Sequence, residues 1–254
     1  MLETNLKFCH FDQRRDVVVP GDTKQTLKFC VDHFLNAYEE AIKSHGNFYV
    51  ALSGGSTPKA IFKELTSSPI KEKLDWSKIH LFWSDERSVG PNDPDSNYHM
   101  AMEAGFSAMP IPKENIHRMH AEEDIEHNAG LYETVIRTIT QGHLDYTMLG
   151  MGEDGHTASL FPATGALNEE LKLVTKNWVP QKNTWRMTFT YTCINKSKHI
   201  VIYVLGAAKK VMLKSVLTDE KHFTDYPIVK VGTKSHKALW ICDTDAAQEI
   251  KKRL

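Results

Sequence analysis

Short runs of strand-forming apolar residues alternate along this chain with stretches of helical period, and few architectures accept that alternation. Phe48-Tyr49-Val50-Ala51-Leu52 is a short apolar run of β-formers, which predicts a buried strand. Ile79-His80-Leu81-Phe82-Trp83 reads as a second strand and 144–149 as a third. Further strands are expected at 186–191, 199–205, 228–231 and 239–242, with a short one around Ile116. Between them, Leu27, Val31, Phe34, Leu35, Tyr38 and Ile42 recur at three- and four-residue steps, and Gly46 is placed to end that helix. Helices are also predicted from Lys59 to Leu65, from a Ser96 cap to about Ala104, over 124–141 and from Ala207 to Leu217.

Strands that alternate with helices predict an α/β fold, with a mostly parallel sheet covered on both faces. No internal repeat, low-complexity tract or linker rich in Pro, Gly and Ser interrupts the 254 residues, so one domain over 1–254 is expected. Three strands run into polar or glycine-rich segments, after Leu52, after Trp83 and after Leu149. Open α/β sheets bind ligands beyond the carboxyl ends of their strands, so these three segments are the place to look for chemistry.

Charge narrows the partners. Thirty-one Lys and Arg against 32 Asp and Glu leave a formal net charge of −1, which provides no long-range field for nucleic acid or an anionic membrane. An anionic small molecule would have to be held by a few local cations. No apolar stretch approaches the roughly 20 residues that cross a bilayer. Met1-Leu2-Glu3-Thr4-Asn5 lacks a basic region followed by an apolar run, so no leader is expected and the cytoplasm is the default compartment. Cys9, Cys30, Cys193 and Cys242 form no C-x-x-C pair and fit no zinc spacing, which predicts reduced, mostly buried thiols and no metal.

Ser53-Gly54-Gly55-Ser56-Thr57-Pro58 lies between a predicted strand and a predicted helix. Its glycines let the backbone approach an anion, the helix start supplies free amides, and Ser56 and Thr57 add hydroxyls. The run is neither a Walker loop nor a dinucleotide fingerprint, and an ordinary capped turn has a similar composition. Ser84-Asp85-Glu86-Arg87 places three charges at a strand end, where Arg87 can clamp a phosphate or an oxyanion, or the cluster can simply be solvated. Gly150-Met151-Gly152-Glu153-Asp154-Gly155-His156-Thr157 sets a histidine among glycines, with Asp154 two residues earlier to hold its tautomer or position water. No G-x-S-x-G elbow or H-E-x-x-H cluster accompanies it, so water activated by a base is the simplest chemistry. Arg186 and Lys209 each open a predicted element and are candidate phosphate cations.

Taken together these segments resemble the 6-phosphogluconolactonase family. The match runs through 52–58, Trp83-Ser84-Asp85-Glu86-Arg87-Ser88-Val89, Asp95-Ser96-Asn97-Tyr98, 150–162, Arg186-Met187-Thr188-Phe189-Thr190 and Gly206-Ala207-Ala208-Lys209-Lys210, in order, from about Val50 to Leu217. The resemblance implies a three-layer, modified Rossmann-like sandwich, shared with glucosamine-6-phosphate deaminases and more distantly ribose-5-phosphate isomerases. It implies hydrolysis of 6-phospho-D-glucono-1,5-lactone to 6-phosphogluconate in the pentose phosphate pathway, with no metal or organic cofactor.

The expected catalytic set is His156, Asp154 and Arg87, and the expected substrate-binding set is Ser53, Gly54, Gly55, Ser56, Thr57, Asp85, Arg186 and Lys209. The partner is a phosphosugar lactone, with no nucleic acid or membrane, and the chain is expected as a monomer or small homo-oligomer. The rival within the fold is a deaminase, whose pattern resembles His-Ile-Ala-Phe-Asn-Glu-Pro; here its carboxylate falls on Phe161, which cannot titrate. A non-catalytic phosphosugar-binding module is the other alternative. Two departures from the lactonase pattern are Ala163-Thr164-Gly165 after Pro162 and a thinned proline content over 180–185.

Overall fold

The computed structural model describes residues 8–218 and 223–253, so the segment read for a leader, Met1 to Asn5, lies outside the described residues. The strands are β1 (Cys9–His10), β2 (Arg15–Val18), β3 (Phe48–Leu52), β4 (Ile79–Trp83), β5 (Asp85–Arg87), β6 (Tyr146–Gly150), β7 (Val174–Val179), β8 (Thr184–Phe189), β9 (His199–Val204) and β10 (Ala238–Cys242). The α-helices are α1 (Thr23–His45), α2 (Ser56–Leu65), α3 (Asn97–Glu103), α4 (Ile125–Thr140), α5 (Tyr191–Ile194) and α6 (Lys210–Thr218).

Seven strands form one sheet in the order β1-β2-β10-β9-β6-β3-β4, parallel except where β1 meets β2. Helix α1 covers one face, with Phe34 edge-on to Phe48 at 5.2 Å between ring centroids. Helix α4 covers the other, where Tyr132 meets Phe82 at 6.3 Å. This is the three-layer α/β sandwich that the sequence predicts.

Local chemistry explains the best-read elements. Helix α1 begins with a capping box, in which the Asp22 side chain accepts from the Gln25 amide while the Gln25 side chain accepts from the Asp22 amide. It ends where Gly46, at φ 84°, turns into the left-handed region that favours glycine. β3 and β4 coincide residue for residue with the expected apolar runs, and Phe48, Val50, Ala51 and Leu52 are fully buried.

The chain leaves β3 toward β4 on one side and returns through β6 toward β9 and β10 on the other. The β3–β6 ladder runs only over Val50↔Tyr146 and Ala51↔Thr147, whereas β3–β4 pairs from Phe48 to Leu52. A crevice therefore opens between the carboxyl ends of β3 and β6, at the topological switch point.

Several expectations need correction. Residues 228–231 are not a strand: Pro227–Lys230 is a 3-10 turn, started by proline and closed by the Val231 amide on the Ile228 carbonyl. Ile228 and Val231 are buried there, and the Ile228 amide bonds the Gly155 carbonyl in the His156 loop. Ile116 makes one isolated bridge to Leu81 rather than a strand. The segment after Trp83 is no loop, because Asp85–Arg87 is a strand in a separate antiparallel sheet ordered β5-β8-β7, and β7 went unread. The strand expected from Arg186 starts at Thr184 and stops at Phe189, since Thr190 caps α5. The strand expected at 144–149 is shifted to Tyr146–Gly150, and α2 starts at Ser56 rather than Lys59. The helix expected from Ala207 opens as a 3-10 turn, Ala207–Lys209, before α6.

All four cysteines are free thiols. Cys30, Cys193 and Cys242 are buried, and burial pushes each thiol above its ordinary range. Among the described residues no helix is long and apolar enough to cross a membrane.

Candidate active site

The crevice holds a cavity of about 630 Å³. Its walls come from the segments after β3, β4, β6 and β9, and from the turn between β7 and β8.

The first wall is the start of α2. Gly55 is its N-cap at φ 109° and offers no side chain to cap the helix. The first amides of α2 therefore lack a local acceptor and, with Ser56 and Thr57, line the cavity at the positive end of a helix dipole. Gly54 is required for a different reason: a Cβ there would sit 2.0 Å from Asn97 Oδ1. Asn97 in turn donates through Nδ2 to the Asp85 carbonyl at 2.9 Å and to Asp85 Oδ1 at 3.3 Å.

The second wall is β5. The three charges of Asp85-Glu86-Arg87 are not a solvated cluster. Glu86 is buried and accepts from the amides of Arg87, Asn97 and Tyr98 at 2.8 Å each and from Ser96 Oγ at 3.0 Å. Burial raises its pKa, and those four bonds work against the rise. Glu86 thereby anchors the start of α3, which carries Asn97. Asp85 accepts from Ser159 Oγ at 2.7 Å, so the β5 segment is tied to the loop of His156.

Arg87 lines the cavity, donates through Nη1 to the Asp95 carbonyl, and keeps a buried Nε without a partner. Directly across the β5–β8 ladder stands Arg186, whose Nε is likewise buried and unpartnered. Burial presses the Arg186 guanidinium below its ordinary pKa; Asp85 counters this and Arg87 adds to it. Like charges facing each other across strands repel, so among the described residues the pair lacks a compensating negative charge between its two guanidinium groups. Arg186 is not among the residues that line the cavity; it neighbours Arg87, which does.

The third wall is the loop after β6. Asp154 Oδ1 accepts from His156 Nδ1 at 2.5 Å and from the His156 amide at 3.1 Å. Burial acts to raise the Asp154 pKa, but the bonds from His156 outweigh it and hold the carboxyl below its usual range. An ionised carboxylate only accepts, so Nδ1 carries a proton, and in a neutral imidazole the lone pair then lies on Nε2. The ring lies against Phe161, with 4.0 Å between centroids and 16° between planes, and the side chain is 27% exposed. The ring also packs close to Gly152, where a Cβ would fall 2.0 Å from Nδ1. The Gly152 amide donates to the His156 carbonyl at 2.8 Å, and Gly155, at φ 75°, makes the tight return.

Lys209 lines the cavity from the turn after β9, its Nζ on the Met151 carbonyl at 2.9 Å. The structure thus gathers Ser53, Gly54, Gly55, Ser56, Thr57, Asp85, Arg87, Asp154, His156 and Lys209 around one cavity. It adds Asn97 and Lys182, which the sequence reading did not assign. Lys182 reaches the cavity from the β7–β8 turn, which is tied down by Gln181 Nε2 on the Pro162 carbonyl at 3.0 Å. Its only sequence signal is a basic residue in a turn four positions before Arg186. Among the described residues no three His, Cys, Asp or Glu side chains converge as metal ligands do.

Fold and site together define an α/β protein with a polar cavity at the sheet's switch point and a carboxylate-held histidine on its wall. The chain belongs to the glucosamine-6-phosphate isomerase/6-phosphogluconolactonase family, whose profile matches residues 21–240. It is 45% identical over 240 residues to the 6-phosphogluconolactonase of Chlamydia pneumoniae, covering 93% of this chain and 91% of that one. It is 36% identical to that of a Nostoc species, covering 93% and 99%. The crystal structure of the Thermotoga maritima 6-phosphogluconolactonase superposes with a TM-score of 0.79 at 29% identity, covering 91% of this chain and all of that one. A monomeric glucosamine-6-phosphate deaminase superposes at 0.78 with 18% identity, covering 92% of this chain and 99% of that one, a likeness of fold alone.

Proposed function

We propose that this chain hydrolyses 6-phospho-D-glucono-1,5-lactone to 6-phospho-D-gluconate, as its relatives' names say of them. The observation that carries the reading is His156, held by Asp154 through Nδ1 and stacked on Phe161 at the edge of an anion cradle. The phosphate rests on the amides and hydroxyls from Gly54 to Thr57, with Lys209 and Arg186 as its cations. Neutral His156 takes a proton at Nε2 from water as the water oxygen attacks C1. Arg87 receives the oxyanion. The bond from C1 to the ring oxygen then breaks, His156 returns its proton to that oxygen, and the new acid loses a proton to solvent. Asp154 holds the ring and steadies the imidazolium. General acid-base catalysis of this kind contributes roughly a hundred- to ten-thousand-fold.

The reaction as written calls on no metal or organic cofactor, nucleic acid or membrane. The chain works in this reading as a single domain in the cytoplasm, a monomer or small homo-oligomer. The deciding experiment sets lactone hydrolysis above the spontaneous rate beside ammonia release from glucosamine 6-phosphate. Lactone turnover without ammonia is expected. Ammonia release would replace this reading by a deaminase, and binding without turnover would replace it by a phosphosugar-binding module.

A further inference from the structure

Asp243 follows β10 and has 0% of its surface exposed, yet the chemistry above does not use it. Three donors converge on its carboxylate. Thr23 Oγ1 donates to Oδ2 at 2.7 Å, the Gly206 amide reaches both oxygens at 3.0 Å, and the Ala246 amide donates to Oδ1 at 2.8 Å. A buried anion is tolerated when hydrogen bonds replace its water, and here donors alone do so. An amide at this position would turn an N–H toward one of those donors.

The contacts lie at one joint. Gly206, at φ 95°, is the N-cap of the 3-10 turn Ala207–Lys209 and has no capping side chain of its own. Asp243 takes that role from a neighbouring strand. Three residues on, Lys209 crosses to the Met151 carbonyl, in the loop that leads to His156. Thr23, the first residue of α1, holds the other side of the carboxylate.

We infer that Asp243 is a positioning residue, which sets the Gly206 turn so that the Lys209 ammonium meets the substrate's phosphate. The inference rests on the reading of Lys209 as a phosphate cation. A residue that acts through Lys209 loses its effect on substrate binding once Lys209 is gone, whereas a residue that merely supports the fold does not.

The test is a double-mutant cycle on KM and kcat for lactone hydrolysis, with Asp243→Asn, Lys209→Ala and the double variant. Asp243→Asn is expected to raise KM about fivefold, the weight of one ordinary hydrogen bond, and to leave kcat within about twofold. Lys209→Ala raises KM further, and the double variant matches Lys209→Ala alone. An unchanged KM in Asp243→Asn, or effects that multiply in the double variant, overturns the inference while leaving Lys209 its role. An unchanged KM in Lys209→Ala overturns the reading of Lys209 and this inference with it. Should Asp243→Asn not fold, Thr23→Val enters the same cycle, because it deletes one donor and keeps the charge. About a twofold rise in KM that vanishes in the Lys209→Ala background is expected, and no rise overturns the inference.

Discussion

Gly152→Ala tests the placement of the base without touching any group that titrates. Gly152 does not use the left-handed backbone region, so alanine meets no torsional obstacle there. Its new methyl would stand 2.0 Å from His156 Nδ1, 2.2 Å from Cε1 and 2.7 Å from Cγ. Ordinary van der Waals contact begins at 3.4 Å, so the ring must move by at least 1.4 Å. Phe161, stacked on it at 4.0 Å between centroids, restricts its movement, and the 2.5 Å bond to Asp154 does not stretch by that amount and survive. The imidazole leaves both its partner and its line to the lactone carbon.

A misplacement of about 1 Å costs on the order of a hundredfold in rate, and loss of the oriented base up to about ten-thousandfold, so kcat falls by about two orders of magnitude or more. The phosphate cradle is untouched, so KM stays within about twofold. Because a side chain rather than backbone is displaced, Tm moves by no more than about 2 °C. Steady-state lactone hydrolysis, corrected for the spontaneous reaction and paired with a thermal melt, reads all three numbers. A Gly152→Ala protein with near wild-type kcat would refute the argument that this contact holds the base in place. So would a large fall in Tm with turnover per folded molecule preserved.

Three further outcomes follow from the same contacts. Asp154→Asn keeps the shape but lets an amide face Nδ1, so it should lower kcat by about a hundredfold or more with KM nearly unchanged; equal losses in both would return Asp154 to a substrate-binding role. Arg186→Ala removes a half-buried cation with a buried, unpartnered Nε, and KM should rise about tenfold or more, less steeply at high salt; an unchanged KM would exclude it from the phosphate site. Burial, with His199 adding to it, lowers the His33 pKa to about 4, and burial with His80 beside it does the same for His117. The unfolded chain then binds more protons below about pH 6.5, so the stability is full above that pH and is lost as pH falls toward 4. For His33 the loss is on the order of 3 kcal/mol, and His33→Gln should flatten the pH dependence of urea unfolding; an unaltered slope would reject His33 as its source.

What could be read from the chain, and what could not, divides along a physical line. β3 and β4 were legible because both of their faces are buried, so their sequences are apolar without alternation. In the antiparallel sheet β8 was legible, but β5 and β7 were not, because they carry polar and charged residues whose partners are distant. Asp85-Glu86-Arg87 has the composition of a solvated turn, and only the start of α3 and Ser159 make it an interior strand. In β7, Lys176 and Trp178 alternate with buried Asn177 and Val179, and Asn177 is buried because it bonds the Ser159 carbonyl and Thr164 Oγ1 at 2.9 Å each. Glycine loops and the histidine were visible from local chemistry. Asn97, Lys182 and Asp243 do their work across the chain, and nothing beside them in sequence says so.

Phe161 shows how one side chain narrows what the fold can do. The same sandwich superposes on a deaminase, so the architecture does not choose the reaction. The position that carries a carboxylate in the deaminase-like pattern here carries a ring, 4% exposed, stacked on His156. A carboxylate there would be a second proton carrier beside the imidazole and would compete with Asp154 for its N–H. The phenyl ring does neither. It covers one face of the imidazole, Gly152 leaves no room for a side chain beside the ring, and His156 lines the cavity. A site in which one histidine is held as the base suits the attack of a single water on a carbonyl. It lacks the carboxylate that the deaminase-like pattern carries at position 161.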